Sequence, residues 1–308
     1  MNCVCRSTRG EGGTVVPVTV RLPPGLFTGP VPGIGGRVEQ KYKVVGVDGT
    51  MRLCRRSIQS IAGALRDVVE RAGGSGVSAS QGNILFGASS SSRVNKVQWA
   101  AAEVGVSYRQ VEISTSELKL NDNYLRINSK GTVPTWVECD SPVPFVLNES
   151  NTIVAHLAMT QGGSRLDPRD PRLRMLAWQW QEYGETTLQP ALSPVWWGYK
   201  FGSGYPLGQG SALVPLEPAK LAASVQKAIR AWAAVDAHLA ADGRPFMLGD
   251  DLTFGDITCG VHANRLFQMG AEGPDGRFGH LRALRAWYDR LLARPAYVKL
   301  VVAPTLKV

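Results

Sequence analysis

Thr132-Val133-Pro134-Thr135-Trp136 is the stretch from which the fold is read. Proline has no N–H for a central ladder, so it belongs at a strand's first residue or edge. A Val-Pro step at the mouth of a strand therefore marks an entry turn. If its bond is cis, the Val133 backbone turns outward, and its N–H and C=O can pair with an extended peptide as an added strand would. Upstream, Ile84-Leu85-Phe86-Gly87 runs into Ser89-Ser90-Ser91-Ser92 and then into Val94, Val97, Ala101 and Val104. Val111 and Ile113 alternate in a second strand, and Asn121 to Arg126 reads as a short helix. Downstream, Phe145-Val146-Leu147-Asn148 runs into Glu149-Ser150, Ile153, Val154 and Leu157. The order is strand, polar turn, helix, strand, Val-Pro turn, two strands, helix.

Residues 161–170 are turn-rich and make the best domain boundary. From Pro171 the pattern is helical. Leu173, Leu176, Trp180 and Tyr183 are spaced for one face, and a break is expected at Pro190 and Pro194. Trp196-Trp197-Gly198-Tyr199 and a Gly-rich loop through Gly210 follow, then a long Ala-rich helix from Glu217 to Ala241. Thr253 and Asp256 are placed as a capping box, with Leu252 and Ile257 as its hydrophobic staple. Leu281, Leu284, Trp287, Tyr288 and Leu291 make a last amphipathic helix, closed by Arg294-Pro295.

Residues 1–82 carry Pro23-Pro24-Gly25 and Gly29-Pro30-Val31-Pro32-Gly33, which break regular elements. Ile58, Ile61, Leu65 and Val68 fit one short amphipathic helix before the Gly73-Gly74-Ser75-Gly76 linker. The reading is a disordered or loosely attached extension, with a translation start at Met51 or later as an alternative.

The net charge of +9 divides unevenly. Residues 1–82 hold eleven Lys/Arg against five Asp/Glu, and the rest holds twenty-three against twenty. Most of the excess lies in the extension, which argues against nucleic-acid binding. No run of eighteen apolar residues occurs, so no transmembrane helix is expected. Five scattered cysteines without a Cys-x-x-Cys pair point to a reducing, cytoplasmic setting. Cys139 and Cys259 read as buried, inert thiols, and the four histidines lack metal-ligand spacing, so no metal site is expected.

Four motifs in order resemble the soluble glutathione S-transferase family over residues 83 to 300. They are Leu85-Phe86-Gly87 with the serine turn and Val94-Asn95-Lys96-Val97; Leu125 to Pro134; Leu147 to Val154; and Thr253-Phe254-Gly255-Asp256-Ile257. The resemblance implies α/β plus all-α architecture. A thioredoxin-like domain with a mixed four-stranded sheet (83–160) would precede an all-helical domain (171–308), in a homodimer that binds glutathione at the domain junction. It implies no permanently bound cofactor, glutathione serving as co-substrate.

Such a protein must ionise the glutathione thiol, which is mostly protonated at neutral pH when free. A hydroxyl donor and a helix N-terminus beside the sulfur both favour thiolate. The resemblance places the active hydroxyl on Ser91, with Ser90 and Ser92 as neighbours able to substitute. On the turn alone, an N-cap in a flexible turn is the plainer reading. The resemblance assigns Ser150 to the γ-glutamyl carboxylate, Glu149 to its amino group, and Val133, before Pro134, to the cysteinyl backbone. Two departures stand out. Ser92-Arg93 replaces the Pro-Asn of many bacterial-type members, and Thr132 stands where a lysine is often found, with Lys119 or Lys130 as substitutes for its contact to the glycyl carboxylate. Trp196, Trp197 and Tyr199 supply apolar surface for a hydrophobic electrophile. The expected activity is conjugation. Isomerisation or dehalogenation on the same site, and a catalytically silent ligand- or partner-binding protein, are the alternatives.

Overall fold

A computed structural model describes residues 55–71, 82–113, 121–140, 144–160, 165–201, 217–269 and 278–305. The expectations for residues 1–54, the Gly73-Gly74-Ser75-Gly76 linker, Lys119 and the loop through Gly210 lie outside the described residues.

Strands β1 (Asn83–Phe86), β2 (Tyr108–Val111), β3 (Thr135–Glu138) and β4 (Phe145–Asn148) form one mixed sheet in the order β2-β1-β3-β4. β1 is parallel to β2 and antiparallel to β3, and β3 is antiparallel to β4. Side chains alternate across the sheet, as the period of two requires. Leu85 and Trp136 point to one face, whereas Ile84, Phe86, Val111 and Val137 point to the other.

Helices α2 (Ser92–Glu103) and α4 (Ser150–Thr160) cover the Leu85/Trp136 face with Val94, Val97, Ile153, Val154 and Leu157. The opposite face is covered by α3 (Asp122–Ile127) and by α1 (Arg55–Arg71). The helix expected from Ile58, Ile61, Leu65 and Val68 is thus present, but the reading of loose attachment is corrected for it. Ala64, Leu65, Val68 and Val69 are buried with Phe86, Tyr124 and Val137, and Asn123 donates to Asp67 at 3.0 Å. An apolar stripe along one side of α1 is what places it on the sheet.

Past residue 165 the chain is helical: α5 (Pro171–Tyr183), a π-helical turn (Gly184–Leu188), α6 (Gln189–Phe201), α7 (Pro218–Ala240), α8 (Phe254–Gln268) and α9 (Arg282–Leu292). Asp170 caps α5 through the N–H groups of Arg172 (2.6 Å) and Leu173 (3.2 Å), and Pro171 follows where a missing N–H costs little. Two expectations change. Leu173 and Leu176 are exposed, and α5 turns Ala177 and Gln181 inward instead. No break occurs at Pro190 and Pro194: Pro190 lies in the first turn of α6, and Pro194 continues the same helix. The irregularity falls earlier, at the π turn.

α8 is the central strut, buried from Phe254 to Asn264. At its start Asp256 accepts the Thr253 N–H and the Thr253 hydroxyl, both at 2.9 Å. The capping box expected of Thr253 and Asp256 is present, and the hydroxyl also donates to the carboxylate. Asp256 also accepts the Met247 N–H (2.9 Å) and the Trp287 indole N–H (3.0 Å), so it ties three segments together. One apolar cluster joins α2, α4 and the Trp136 face to α5 through α9, so the sheet and the helical part share a core.

Candidate active site

The strand register gathers the predicted residues at one edge. Phe86, Thr135 and Asn148 lie side by side at the ends of β1, β3 and β4. The chain therefore leaves or enters the sheet there at Gly87–Ser91, at Val133-Pro134 and at Glu149-Ser150, and also after Val111, which pairs with Phe86. Gly87 holds the first two together. Its φ is +139°, and a Cβ at this position would lie 2.5 Å from the Val94 side chain and 3.0 Å from Cβ of Val133. Only glycine permits that approach.

The Val133-Pro134 bond is cis. The loop before it is anchored by α3: the Tyr124 hydroxyl donates to the Thr132 carbonyl at 2.6 Å, and the Asn128 amide donates to the same oxygen at 2.8 Å. Among the described residues, the Val133 N–H and C=O have no hydrogen-bond partner. Thr132 itself is exposed. Glu149 has φ +68°, an uncommon conformation for a residue with a side chain and one that concentrates at functional sites. Its carbonyl accepts the Ile153 N–H at 3.0 Å, which starts α4, and its carboxylate meets Lys130 Nζ at 2.6 Å. Ser150 is buried at the first position of that helix.

In the serine turn the four hydroxyls differ. Ser89 is engaged with the Glu112 carboxylate through its N–H (3.0 and 3.2 Å) and its hydroxyl. Ser90 is exposed, and Ser92 is the first residue of α2. Ser91 is the residue before α2, with its carbonyl accepting the Asn95 N–H at 2.9 Å, yet its hydroxyl makes no capping bond. Ser91 Oγ is left available at the positive end of α2.

Beside it lies a charged cluster that sequence reasoning missed. Arg93 Nε and Nη2 donate to Glu185 Oε1 at 3.1 and 2.8 Å, and Lys96 Nζ reaches Oε2 at 2.5 Å and Asn151 Oδ1 at 3.2 Å. His262 Nε2 lies 3.7 Å from the same carboxylate. Lys96 is fully buried, and burial outweighs its pairing with Glu185 to hold the ammonium below its usual pKa. Burial raises the Glu185 carboxyl, but His262 and Lys96 together overcome it and hold it well below the usual range. Burial pushes His262 down to about 4, against the pull of Glu185, so the imidazole is neutral near pH 7. The signal for this cluster was Lys96, a charged residue among the buried positions of helix α2.

The aromatic residues proposed for a second substrate fare unevenly. Trp196 is 3% exposed beneath the Arg265 guanidinium at 5.5 Å, which corrects its assignment to a binding surface. Trp197 is half-buried, and the Tyr199 side chain lies outside the described residues. Cys139 and Cys259 are buried, and burial pushes both thiols up. Among the described residues no group of His, Cys, Asp and Glu is placed to hold a metal ion, and no helix is long and apolar enough to cross a membrane.

A four-stranded mixed sheet with an outward Val-cisPro loop, joined through a shared core to a helical domain, defines a thioredoxin-like domain fused to an all-α partner. Family models agree. Residues 82–159 match the glutathione S-transferase N-terminal domain and residues 218–290 its C-terminal domain. The chain is 29% identical over 230 residues to glutathione S-transferase GstB of Escherichia coli K12, spanning 71% of this chain and 98% of that protein. It is 30% identical to the glutathione-bound theta class glutathione S-transferase of Xanthomonas axonopodis pv. citri, with a TM-score of 0.58 over 71% of this chain and 97% of the other. A glutathione transferase family member from Pseudomonas fluorescens, solved with two glutathione molecules, shares the fold at 20% identity and a TM-score of 0.62, covering 76% and 97% of the two chains. The chain belongs to the glutathione S-transferase family.

Proposed function

We propose that this glutathione transferase activates its co-substrate through Ser91. The observation that carries the reading is the free Ser91 hydroxyl at the N-terminus of α2, on the same sheet edge as the unpaired Val133 backbone and the Glu149-Ser150 helix start. The cysteinyl backbone pairs with Val133, next to Pro134. The γ-glutamyl carboxylate meets Ser150 and its amino group meets Glu149, a helix start being suited to an anion. Lys130, already paired with Glu149, stands near this edge where Thr132 offers no charge. The thiol loses its proton to solvent, Ser91 donates to the resulting thiolate, and the sulfur forms its bond to an electrophilic carbon as the leaving group departs with its electron pair.

Residues 83–160 serve as the glutathione-binding domain and 171–308 supply the hydrophobic-substrate side, Trp197 being the predicted aromatic with surface to offer. A homodimer is the assembly we favour: Phe145, Met159, Leu173, Met175 and Leu176 are large apolar side chains left exposed on β4, α4 and α5. Free buried thiols suit a reducing cytoplasm.

The test is Ser91→Ala. A hydrogen bond to a charged group contributes roughly 1.5–3 kcal/mol, so the thiol pKa of bound glutathione should rise by about one to two units. Conjugation near neutral pH should fall roughly ten- to hundredfold and recover as pH rises, with glutathione affinity kept. An unchanged thiol pKa in Ser91→Ala, with a raised one in Ser90→Ala or Ser92→Ala, moves the role to that residue.

A further inference from the structure

Three polar side chains are buried on α2, and two of them do not touch the charged cluster. Asn95 and Gln98 turn instead toward the serine turn. Buried amides are costly unless paired, so where they point matters. Asn95 Nδ2 donates to the Ser89 carbonyl at 2.6 Å and to Gln98 Oε1 at 3.1 Å. Gln98 Nε2 donates to Gln110 Oε1 at 3.2 Å and to Ser89 Oγ at 3.4 Å. Gln110, on β2, donates to the Gly87 carbonyl. Beyond β2, Glu112 takes the Ser89 N–H and hydroxyl. The Gly87 and Ser89 carbonyls and the Ser89 N–H are thus held by side chains from α2, β2 and the residue after β2. Ser90 alone separates Ser89 from Ser91, whose N–H closes the turn onto the Ala88 carbonyl at 2.9 Å.

Resting on the Ser91 reading above, we propose that Glu112 is a positioning residue for the thiol-activating turn, completing a clamp with Asn95, Gln98 and Gln110. Glu112 occupies the Ser89 hydroxyl and fixes the backbone that aims Ser91 Oγ. It touches no substrate. Its charge gives the proposal a sign. A carboxylate near a thiolate disfavours the thiolate, so a mere electrostatic neighbour, once removed, would lower the thiol pKa. A positioning residue, once removed, raises it, because the Ser91 donor is no longer held in line.

The experiment measures thiolate absorbance and conjugation rate against pH for Glu112→Ala, Glu112→Gln, Ser91→Ala and the Glu112→Ala/Ser91→Ala double variant. Amide exchange at residues 88–91 is followed in parallel. Glu112 is exposed, so its variants should fold, and melting checks this. In Glu112→Ala we expect a thiol pKa raised by about half to one unit, a rate at neutral pH roughly three- to tenfold lower, an unchanged KM for glutathione and faster exchange at 88–91. Glu112→Gln keeps an acceptor for the Ser89 N–H and should recover part of the loss. The double variant should be no slower than Ser91→Ala. A lowered or unchanged thiol pKa in Glu112→Ala overturns the clamp, as does a double variant in which the two losses multiply. If Ser91→Ala leaves the thiol pKa untouched, the Ser91 reading fails first, and the clamp as stated fails with it. A raised pKa in Ser91→Ala with none in Glu112→Ala removes the clamp alone.

Discussion

The two faces of the sheet are built differently. On one, Leu85 and Trp136 meet α2 and α4, and behind them lie buried or half-buried polar groups: Asn95, Lys96, Gln98, Glu185 and His262. On the other, Ile84, Phe86, Val111 and Val137 meet α1 and α3 in a cluster whose buried polar groups are Tyr124, Thr135 and Asn128 at its rim. The first face carries buried charged groups near the start of α2. The second carries apolar area and one polar knot that supports the Val133 loop. Chemistry and scaffolding are therefore separated by a sheet one strand layer thick, and each can be perturbed with limited effect on the other.

The largest effect should come from stripping the scaffolding face. Leu65 and Val68 are almost fully buried against the sheet. Leu65→Ala removes buried methyl groups and leaves a cavity, at a cost of about 2–5 kcal/mol, and Val68→Ala should add to it. Thermal melting of the double variant should fall by many degrees, while kcat per folded molecule and the bound thiol pKa stay as they were. A melting point equal to that of the parent would return α1 to a loosely attached extension. A shifted thiol pKa would break the separation of the two faces.

Next in size is the acid limb of stability, which belongs to the other face. His262 in the folded protein has its pKa pushed to about 4 by burial, with Glu185 pulling up and Lys96 and Arg265 pushing down. The unfolded side chain titrates near 6.5. Between these values the unfolded state binds the proton and the native state does not, so stability falls as pH drops from 6.5 toward 4, by at most about 3 kcal/mol. Glu185, depressed below its usual range, adds a loss at lower pH still. His262→Gln should flatten the limb between pH 6.5 and 4 and leave stability above pH 7 less changed. Denaturant melts of both proteins at pH 7.5, 6, 5 and 4 give the difference; a parallel dependence in the two would assign the limb to other groups.

How far the sequence could be read also follows this division. The strands, the serine turn, the Val-Pro loop and the Glu149-Ser150 helix start are local patterns, with periodicity, proline and capping chemistry written in neighbouring residues. Their convergence follows from the register of three adjacent strands. The charged cluster is not local. Glu185 is separated from Lys96 by 89 positions and from Arg93 by 92, and no spacing rule connects them. What was visible was a violation: Lys96, with Asn95 and Gln98 near it, at positions of α2 that are otherwise valine, tryptophan and alanine. Such breaks in pattern mark functional ground. Helix α1 was seen as amphipathic but without a partner, because its apolar stripe answers to Phe86 and Val137, far along the chain. Pro194 misled for the opposite reason: a local breaker lies inside α6 without ending it.

The smallest expected effect lies away from both faces, at the start of α8. Asp256 is buried and gathers donors from Thr253, Met247 and Trp287. The Thr253 hydroxyl is one donor among these, and it gives its proton to the carboxylate. Thr253→Ala removes that bond and leaves the carboxylate its three nitrogen donors, so the loss should be near the usual cost of a cap, about 1 kcal/mol. Asp256→Ala is a different change: it strands buried N–H groups of Thr253, Met247 and Trp287, each of which then carries a desolvation cost. The two should not sum in the double variant, because Thr253 acts through Asp256. Melting of the two single variants and the double, with thiolate absorbance of bound glutathione measured on each, checks both points. Stability should drop slightly for Thr253→Ala and much more for Asp256→Ala, with the thiol pKa unmoved in Thr253→Ala. A thiol pKa that follows Thr253 would mean that the start of α8 reaches the serine turn through His262 and Lys96, and that the chemistry extends deeper into the helical domain than the charged cluster alone.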